Sequence, residues 1–250
     1  MEREEEFWKR LSRLTAARIG LKRAGASVAT GPLLDFQLAH ARARDAVLEA
    51  LDGPKLAAEL TGLGLPVVSV ASAAADRQTY LMRPDLGRRL AVNAEVALAA
   101  HKGDYDVVFV VADGLSARAV VLHARPILSQ AIMALRAEGW RIAPLVIVCH
   151  GRVAIGDAIA TALGAASVAV LIGERPGLSA PDSMGAYLTF RPHAQTNDAE
   201  RNCISNIRPQ GVDYASAGAK LVYLLRAMRD RRLSGLQLKD ESDRLLTLKG

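Results

Sequence analysis

Residues 166–218 read ASVAVLIGERPGLSAPDSMGAYLTFRPHAQTNDAERNCISNIRPQGVDYASAG, and this stretch decides how the fold is interpreted. The apolar run at 168–172 is typical of a buried strand, and the GERPG that follows it is typical of a turn. A second strand-like run covers 184–190 and leads into a polar loop. In open α/β sheets, loops at the carboxyl ends of strands build the ligand crevice. The sequence therefore predicts that GERPG borders such a crevice.

Short apolar runs alternate with helical patterns on both sides of this stretch. The other predicted strands cover residues 67–71, 106–112 and 142–149, and the predicted helices cover residues 85–101, 116–138, 155–163 and 214–232. Near-continuous apolar strands that alternate with helices are typical of a parallel sheet covered on both faces. The sequence therefore predicts an α/β fold with a Rossmann-like, mostly parallel sheet, but it does not define the strand order.

The first 64 residues lack this alternation. Three helices are predicted, over residues 1–24, 32–51 and 55–61, with no strand between them. So short a helical segment has a thin core of its own, and we expect it to pack on the rest of the chain or on another subunit. The prediction is a small helical N-terminal subdomain, 1–64, followed by a Rossmann-like α/β domain, 65–250.

Composition narrows the class of protein. The chain has 250 residues, half of them hydrophobic, and a formal net charge of +6. A basic surface suits nucleic acid, a cofactor phosphate or an acidic protein, or is simply solvated. Aromatic residues are few and the arginines are dispersed, which argues against nucleic acid. With two cysteines, no signal peptide and no apolar run of about 18–20 residues, we expect a cytoplasmic protein without a disulfide framework or a membrane span.

Motifs for catalysis within a single chain are missing. No G-x-G-x-x-G follows a strand, and there is no Walker A sequence and no G-x-S-x-G elbow. The five histidines are scattered and none has metal-ligand spacing with a carboxylate. We therefore assign no catalytic residue and no metal site to this chain.

Five separated motifs resemble the small (light) subunit of ethanolamine ammonia-lyase, an adenosylcobalamin-dependent enzyme. Two are GERPGL and, about 30 residues later, ERNCISNIRPQG. The others are FQLAHARARDAV at 36–47, YLMRPDLGRRL at 80–90 and VVADGLSARAV at 110–120. Together they cover nearly the whole chain in the family's order, which is far more specific than one short pattern.

The resemblance implies a reaction and a partner. Ethanolamine becomes acetaldehyde and ammonia by an adenosylcobalamin radical mechanism, and a large subunit holds the substrate and the catalytic residues. This chain would close one side of the cobalamin site, so that 65–250 is a cobalamin-binding domain. The assembly is expected to be a hetero-oligomer with several copies of each subunit. The location is cytoplasmic, or inside the bacterial microcompartment where ethanolamine breakdown often takes place.

The resemblance carries three cobalamin contacts onto this chain, namely Val153, Glu174 and Cys203. Taken alone, Val153 also suits a core position at a helix start, Glu174 a turn cap, and Cys203 a small buried hydrophobe. As contacts, the carboxylate would accept hydrogen bonds from corrin amides and the thiol would present a small, soft surface. The chain has no D-x-H-x-x-G sequence, which implies that the cobalamin keeps its own base on the cobalt.

Other polar residues of this region have two interpretations each. Arg175, Arg201 and Arg208 suit a nucleotide phosphate or a partner carboxylate, and equally surface salt bridges. Asp113, at a strand end, is followed by Gly114 and Ser116, which favours a turn and cap role over acid–base chemistry.

Two other functions stay open at this point. The chain could be a stand-alone α/β protein that binds a nucleotide or another phosphate ligand without catalysis. It could also be a structural partner whose crevice is empty. The basic charge and the glycine-containing strand-end loops permit the first, and the missing phosphate-loop motifs count against it.

Overall fold

A six-stranded sheet forms the centre of the protein in its computed structural model, which describes residues 2–242, with side chains from residue 6 onward. Residues 243–250 of the predicted second domain lie outside this range. In chain order the strands are β1 (Arg23–Ala24), β2 (Ser27–Val28), β3 (Val67–Ala71), β4 (Tyr105–Ala112), β5 (Leu145–Cys149), β6 (Ala165–Gly173), β7 (Met184–Phe190) and β8 (Asn202–Ile207).

Eight α-helices accompany these strands within the described residues. They are α1 (Glu2–Ser12), α2 (Thr30–Leu48), α3 (Gly53–Thr61), α4 (Arg77–Met82), α5 (Val92–Ala99), α6 (Ala117–Ala137), α7 (Ile155–Leu163) and α8 (Tyr214–Arg231). Short 3-10 turns cover Leu86–Arg88, Asp198–Glu200 and Gly235–Gln237. No helix in this part of the chain has the length and apolarity that crossing a membrane requires.

The central sheet has the order β3-β5-β4-β6-β7-β8, while β1 and β2 form a separate small ribbon. Strands β3, β5, β4 and β6 are parallel, and their carboxyl ends share one edge. Strand β7 runs antiparallel to β6, and β8 antiparallel to β7. The predicted α/β fold with a mostly parallel sheet is confirmed. The last two strands form an antiparallel meander with β6, connected through residues 174–183 and 191–201 without a crossover helix, which antiparallel pairing permits.

Each face of the sheet carries its own hydrophobic core. Helices α3, α6 and α8 cover what we call the closed face, where they pack on side chains from β4 to β8 such as Phe109 and Leu188. Helices α5 and α7 pack on the opposite face, against β3, β5, β4 and β6. Helices therefore lie on both faces, as predicted. The second face has no buried hydrophobic side chain from β7 or β8, and we call it the open face.

The N-terminal segment differs from the predicted three helices. The helix predicted over 1–24 ends at Ser12, and the chain turns back at Gly20 (φ +60°), whose α-carbon comes close to the Trp8 ring. The β1–β2 ribbon lies where no strand was predicted. Helix α2 buries only Ala46, whereas α3 packs Leu56 and Leu60 into the closed-face core. Helix α3 lies before the predicted boundary at residue 64 but shares a core with the predicted second domain. The boundary itself stays a prediction.

Three further predictions are corrected. The helix predicted at 85–101 is a 3-10 turn followed by α5, because the chain between them is extended and pairs with the end of β3, where Ala73 N–H donates to the Arg89 carbonyl and Ala91 N–H to the Ala71 carbonyl. The strand predicted at 142–149 begins at Leu145, after Pro144. The polar loop predicted after 190 contains strand β8, which exposes alternate polar side chains at the edge of the sheet.

Candidate functional site

The site predicted from the sequence falls on the open face, where β7 and β8 extend beyond the cover of α7. In register, Gly185 pairs with Ile172 and Tyr187 pairs with Val170, so both face the same side as the open-face core. The helices that pack mainly on β7 and β8, α6 and α8, lie on the closed face. The result is a strip of sheet surface without a helix over it, formed by Gly185 and Tyr187 of β7 and Cys203 of β8. We call it the bare strip, and it is bordered by α7 and by the loop after β6.

Glu174 is the first residue after β6 and joins three chain segments at the rim of the bare strip. Its carboxylate accepts hydrogen bonds from the Ser183 hydroxyl and from the backbone N–H of Asn206, with N···O distances of 3.2 and 3.3 Å. Its own N–H donates to the Ser183 carbonyl at 2.9 Å. An ionised carboxylate has about four acceptor sites. The half-buried Glu174 therefore has both a structural role and acceptor capacity for a ligand.

Cys203 lies on β8 opposite Tyr187, with part of its surface exposed. Partial burial raises the pKa of the Cys203 thiol, and the nearby Glu174 carboxylate raises it further, although the contact with Tyr187 acts in the other direction. Burial likewise raises the pKa of the Tyr187 hydroxyl. Both groups are neutral at physiological pH. Glu174, Tyr187 and Cys203 therefore form one contiguous surface with its only charge at the rim.

Gly185 is buried between the side chains of Glu174 and Tyr187. A β-carbon added there would lie 3.1 Å from Glu174 Oε1 and 3.1 Å from the Tyr187 ring. Contacts this short are tighter than ordinary van der Waals packing, so any larger residue would displace a neighbour. The absence of a side chain at this buried position therefore allows the carboxylate and the ring to lie side by side.

Val153 reaches the open face from the α7 side. It follows β5 through His150, which has a left-handed backbone (φ 59°), and it precedes α7 directly. Its side chain is half-buried and packs against the open-face core. Val153 also lines a cleft of about 1070 Å³ along α7, apart from the Glu174–Cys203 surface. The structure thus brings Glu174 and Cys203 together and places Val153 on the neighbouring element of the same face.

A buried ion pair lies between α7 and β8. Arg201 forks onto Asp157 with two N···O distances of 2.7 Å, and it also donates to Thr189 Oγ1 at 3.0 Å. Burial alone would lower the pKa of the Arg201 guanidinium, but the hydrogen bonds to Asp157 and its negative charge raise that pKa overall. Of the three arginines singled out in the sequence, this one is buried. Arg208 donates to Asn206 Oδ1, and Arg175 is exposed.

Asp113 is buried at the end of β4 and does not cap α6 through its side chain. Its carboxylate accepts from the Gly151 N–H at 3.1 Å and lies 3.4 Å from Arg77 Nη1. Burial raises the pKa of this carboxyl. The turn predicted here is present, since the Asp113 carbonyl accepts from the Ser116 N–H. The side chain instead ties the loop after β5, and therefore Val153, to β4.

Several residues of the site escaped the sequence interpretation. Tyr187, Ser183 and Asp157 carry several of its contacts, and none of the three was singled out. Strand periodicity was the available signal for Tyr187, because alternate residues of the predicted 184–190 strand share a face. The partner of Arg201 could not be read from spacing, since Asp157 lies on a different element.

Comparison with known proteins identifies the family. Residues 5–239 match the family model for the ethanolamine ammonia-lyase light chain (EutC). Proteins named ethanolamine ammonia-lyase small subunit are 55% identical in Xanthomonas campestris pv. campestris (strain ATCC 33913) and 53% identical in Azotobacter vinelandii, covering 96% of this chain and 90% of each relative. One from Pseudomonas syringae pv. tomato is 52% identical over 94% of this chain and 83% of that protein. The chain therefore belongs to the ethanolamine ammonia-lyase light chain family, which confirms the resemblance of its motifs.

Proposed function

We propose that this chain binds adenosylcobalamin together with a large subunit and closes one side of the cofactor site of ethanolamine ammonia-lyase. The reaction would convert ethanolamine to acetaldehyde and ammonia. The observation that carries the proposal is the common location of the three contacts inferred by resemblance. Glu174 and Cys203 share the bare strip, and Val153 lies at the start of the helix beside it.

The residues present suit a corrin ring in chemistry. The rim of such a ring carries amide side chains, whose N–H groups are donors, and Glu174 is an acceptor with part of its surface free. The Cys203 thiol and the Tyr187 ring offer a neutral, polarizable surface, and Val153 adds an apolar side chain. Gly185, buried between them, lets the Glu174 carboxylate and the Tyr187 ring lie close together. A buried charge in the middle of this surface would cost desolvation energy, and the strip has none there.

The role of these residues would be to bind, to orient and to exclude water. The cofactor supplies the radical chemistry when bound, and the protein supplies binding and position. Glu174 is held by Ser183 and Asn206, so its carboxylate is directed before a ligand arrives. Preorganisation of this kind lowers the entropic cost of binding. The substrate and the catalytic residues would belong to the large subunit.

The N-terminal segment would provide a second contact with the large subunit. Helix α2 has 19 residues and buries one, and several large apolar side chains of α1 and α2 are exposed. The most exposed of them are Phe7 on α1 and Leu34, Leu38 and Leu48 on α2. Exposed apolar surface on this scale marks an interaction site in a subunit that is incomplete alone. Covering it would also stabilise a helix that has little tertiary packing of its own.

The remaining features of the proposal follow from the family. The cobalamin would keep its own base on the cobalt, because the chain lacks D-x-H-x-x-G. The assembly would contain several copies of each subunit. It would work in the cytoplasm or in a bacterial microcompartment.

The first test asks whether the chain is needed at all. A candidate large subunit with adenosylcobalamin is assayed for ethanolamine deamination with and without this chain. Activity that requires both chains supports the proposal. Equal activity without this chain, or no association between the two, contradicts it and directs the search to phosphate ligands.

The second test addresses the site. In the assembled enzyme, the double variant Glu174→Ala/Cys203→Ala should bind adenosylcobalamin at least about tenfold more weakly, because each lost contact is worth about 1–2 kcal/mol. The matched control is Glu138→Ala/Cys149→Ala. Glu138 pairs with Arg226 at the end of α6, and Cys149 contacts Gly53 on the closed face.

Folding and binding must be separated, since Glu174→Ala also removes the contacts with Ser183 and Asn206. Thermal unfolding of each variant serves this purpose, and Glu174→Gln keeps the volume and one acceptor oxygen. Unchanged cofactor affinity in the folded Glu174→Ala/Cys203→Ala variant would remove these residues from the site.

A further inference from the structure

The buried pair of Asp157 and Arg201 links the elements that carry two of the proposed cofactor contacts. Asp157 lies in the first turn of α7, four residues after Val153, which lies in the turn just before that helix. Arg201 lies two residues before Cys203, at the entry to β8. The two side chains are 9% and 3% exposed, so the pair is almost completely removed from water.

The same arginine also contacts β7. Its Nη1 donates to Thr189 Oγ1 as well as to Asp157. Thr189 lies two residues from Tyr187, on the same face of β7, and Tyr187 is the register partner of Cys203. One guanidinium therefore connects α7, β7 and β8 within two residues of the bare strip.

Stability alone does not account for such a pair. Removing two charges from water costs several kcal/mol, and apolar side chains of similar volume are often as stabilising or more so. A guanidinium fork on a carboxylate is, however, directional, since both parallel hydrogen bonds form at only one relative orientation. Asp157 also lies in the first turn of α7, where the helix dipole favours a carboxylate.

We propose that Asp157 and Arg201 are positioning residues, which set the distance and orientation of α7 relative to β8 and so hold Val153 and Cys203 in place for one ligand. They would touch neither the ring nor the substrate. This inference rests on the proposed cobalamin site and adds to it the pairing of Arg201, which lies in a family motif, with Asp157, which does not. The pair would hold the two walls of the site at a constant spacing before the cofactor binds.

The test compares three kinds of variant in the assembled two-subunit enzyme. Arg201→Lys keeps the charge but loses the fork. Asp157→Asn removes the buried negative charge and leaves the guanidinium only the exposed Asp198, at 3.5 Å, as an ionic partner. The triple variant Asp157→Leu/Thr189→Val/Arg201→Met replaces the polar group by apolar side chains. Glu138→Gln is the control, because it weakens the α6–α8 ion pair with Arg226 far from the strip.

Two quantities are measured for each variant, namely the adenosylcobalamin dissociation constant by absorbance titration and the midpoint of thermal unfolding. We expect Arg201→Lys and the triple variant to bind the cofactor about tenfold more weakly, which corresponds to about 1.4 kcal/mol. The unfolding midpoint of the triple variant should stay close to the parent value. Asp157→Asn should raise the dissociation constant and lower the unfolding midpoint, and Glu138→Gln should leave the affinity unchanged.

A purely structural pair would behave differently. In that case affinity would follow stability, and Arg201→Lys and the triple variant would bind within about twofold of the parent whenever they are folded. That result, with Glu174→Ala/Cys203→Ala still weakened, overturns the positioning role alone. If Glu174→Ala/Cys203→Ala also binds normally, the proposed site itself is wrong.

Discussion

The two faces of the central sheet are filled by different means. On the closed face three helices cover strands β4 to β8. Helix α6 alone has ten buried residues. On the open face two shorter helices cover four strands, and the β7–β8 surface has no helix over it. The closed face has what a stable core needs, whereas the open face keeps a part of the sheet available. Stability and binding are therefore expected to respond to different substitutions.

The largest effect is expected from a truncation in the closed-face core. Leu128 on α6 is fully buried, and Leu128→Ala should reduce the free energy of unfolding by about 2–5 kcal/mol through lost transfer energy and the cavity left behind. Denaturant unfolding of the isolated chain measures this loss. Cofactor affinity of the folded, assembled variant should be unchanged. A large loss of affinity without a loss of stability would break the division between the faces.

A smaller effect is expected from the helix that borders the bare strip. Gly156 in α7 packs so closely on β6 that an added β-carbon would lie 2.4 Å from Val170 Cγ2. Gly156→Ala gains about 1 kcal/mol of helix propensity but forces α7 outward, and such overpacking costs about 1–3 kcal/mol. A net destabilisation of up to about 2 kcal/mol should follow in denaturant unfolding.

Unlike the closed-face truncation, Gly156→Ala should also weaken adenosylcobalamin binding, since Val153 moves with the start of α7. Gly139→Ala is the control, because no atom lies within 4 Å of the position of its β-carbon, although its positive φ brings a strain of its own. Equal cofactor affinity in the parent and Gly156→Ala would show that the position of α7 does not matter for the site.

The smallest effect concerns pH. His123 on α6 contacts the Tyr214 hydroxyl through Nδ1 at 2.9 Å and the Asp182 carbonyl through Nε2 at 3.0 Å. Burial, and to a lesser extent Arg208, lower the pKa of His123 below its ordinary value of 6.5, although Asp182 acts in the opposite direction. The unfolded chain therefore binds more protons than the folded chain just below pH 6.5.

The free energy of unfolding should consequently fall as the pH drops through 6.5 towards the folded-state pKa of His123. It should recover when the pH is raised again. His123→Gln should be less stable at neutral pH and should show a shallower pH dependence in unfolding experiments at pH 5.5 and pH 7.5. His101→Gln, at an exposed position, controls for the loss of a histidine. Identical pH slopes in the parent and His123→Gln would contradict this assignment.

The sequence predicted the interior of the sheet better than its edge. DVVFVVA at 106–112 is buried on both faces, so its composition alone identifies β4. NCISNI at 202–207 became an edge strand whose exposed positions include Cys203 and Ser205, and polar exposed residues hide the strand pattern. Its existence depends on pairing with β7, which is a tertiary contact. The strand order depends on such contacts throughout.

The site shows the same limit. The GERPG motif predicted a loop at the end of a strand, and Glu174 lies there. From the sequence, Arg201 was interpreted as binding a phosphate or a partner carboxylate, or as forming a surface salt bridge. Its actual partner, Asp157, lies 44 residues away in the chain. Long-range partners of this kind are set by packing, and a single sequence does not display them.

The strand order also has a consequence for how the chain acquires its structure. Strand β5 lies between β3 and β4, so these two strands are synthesised first and leave a gap that only a later segment can fill. Strands β7 and β8 instead each pair with the strand that precedes them in the chain, and contacts this local in sequence form faster. During vectorial synthesis the parallel half would wait for residues 145–149, and the insertion of β5 is expected to be the slow step of folding.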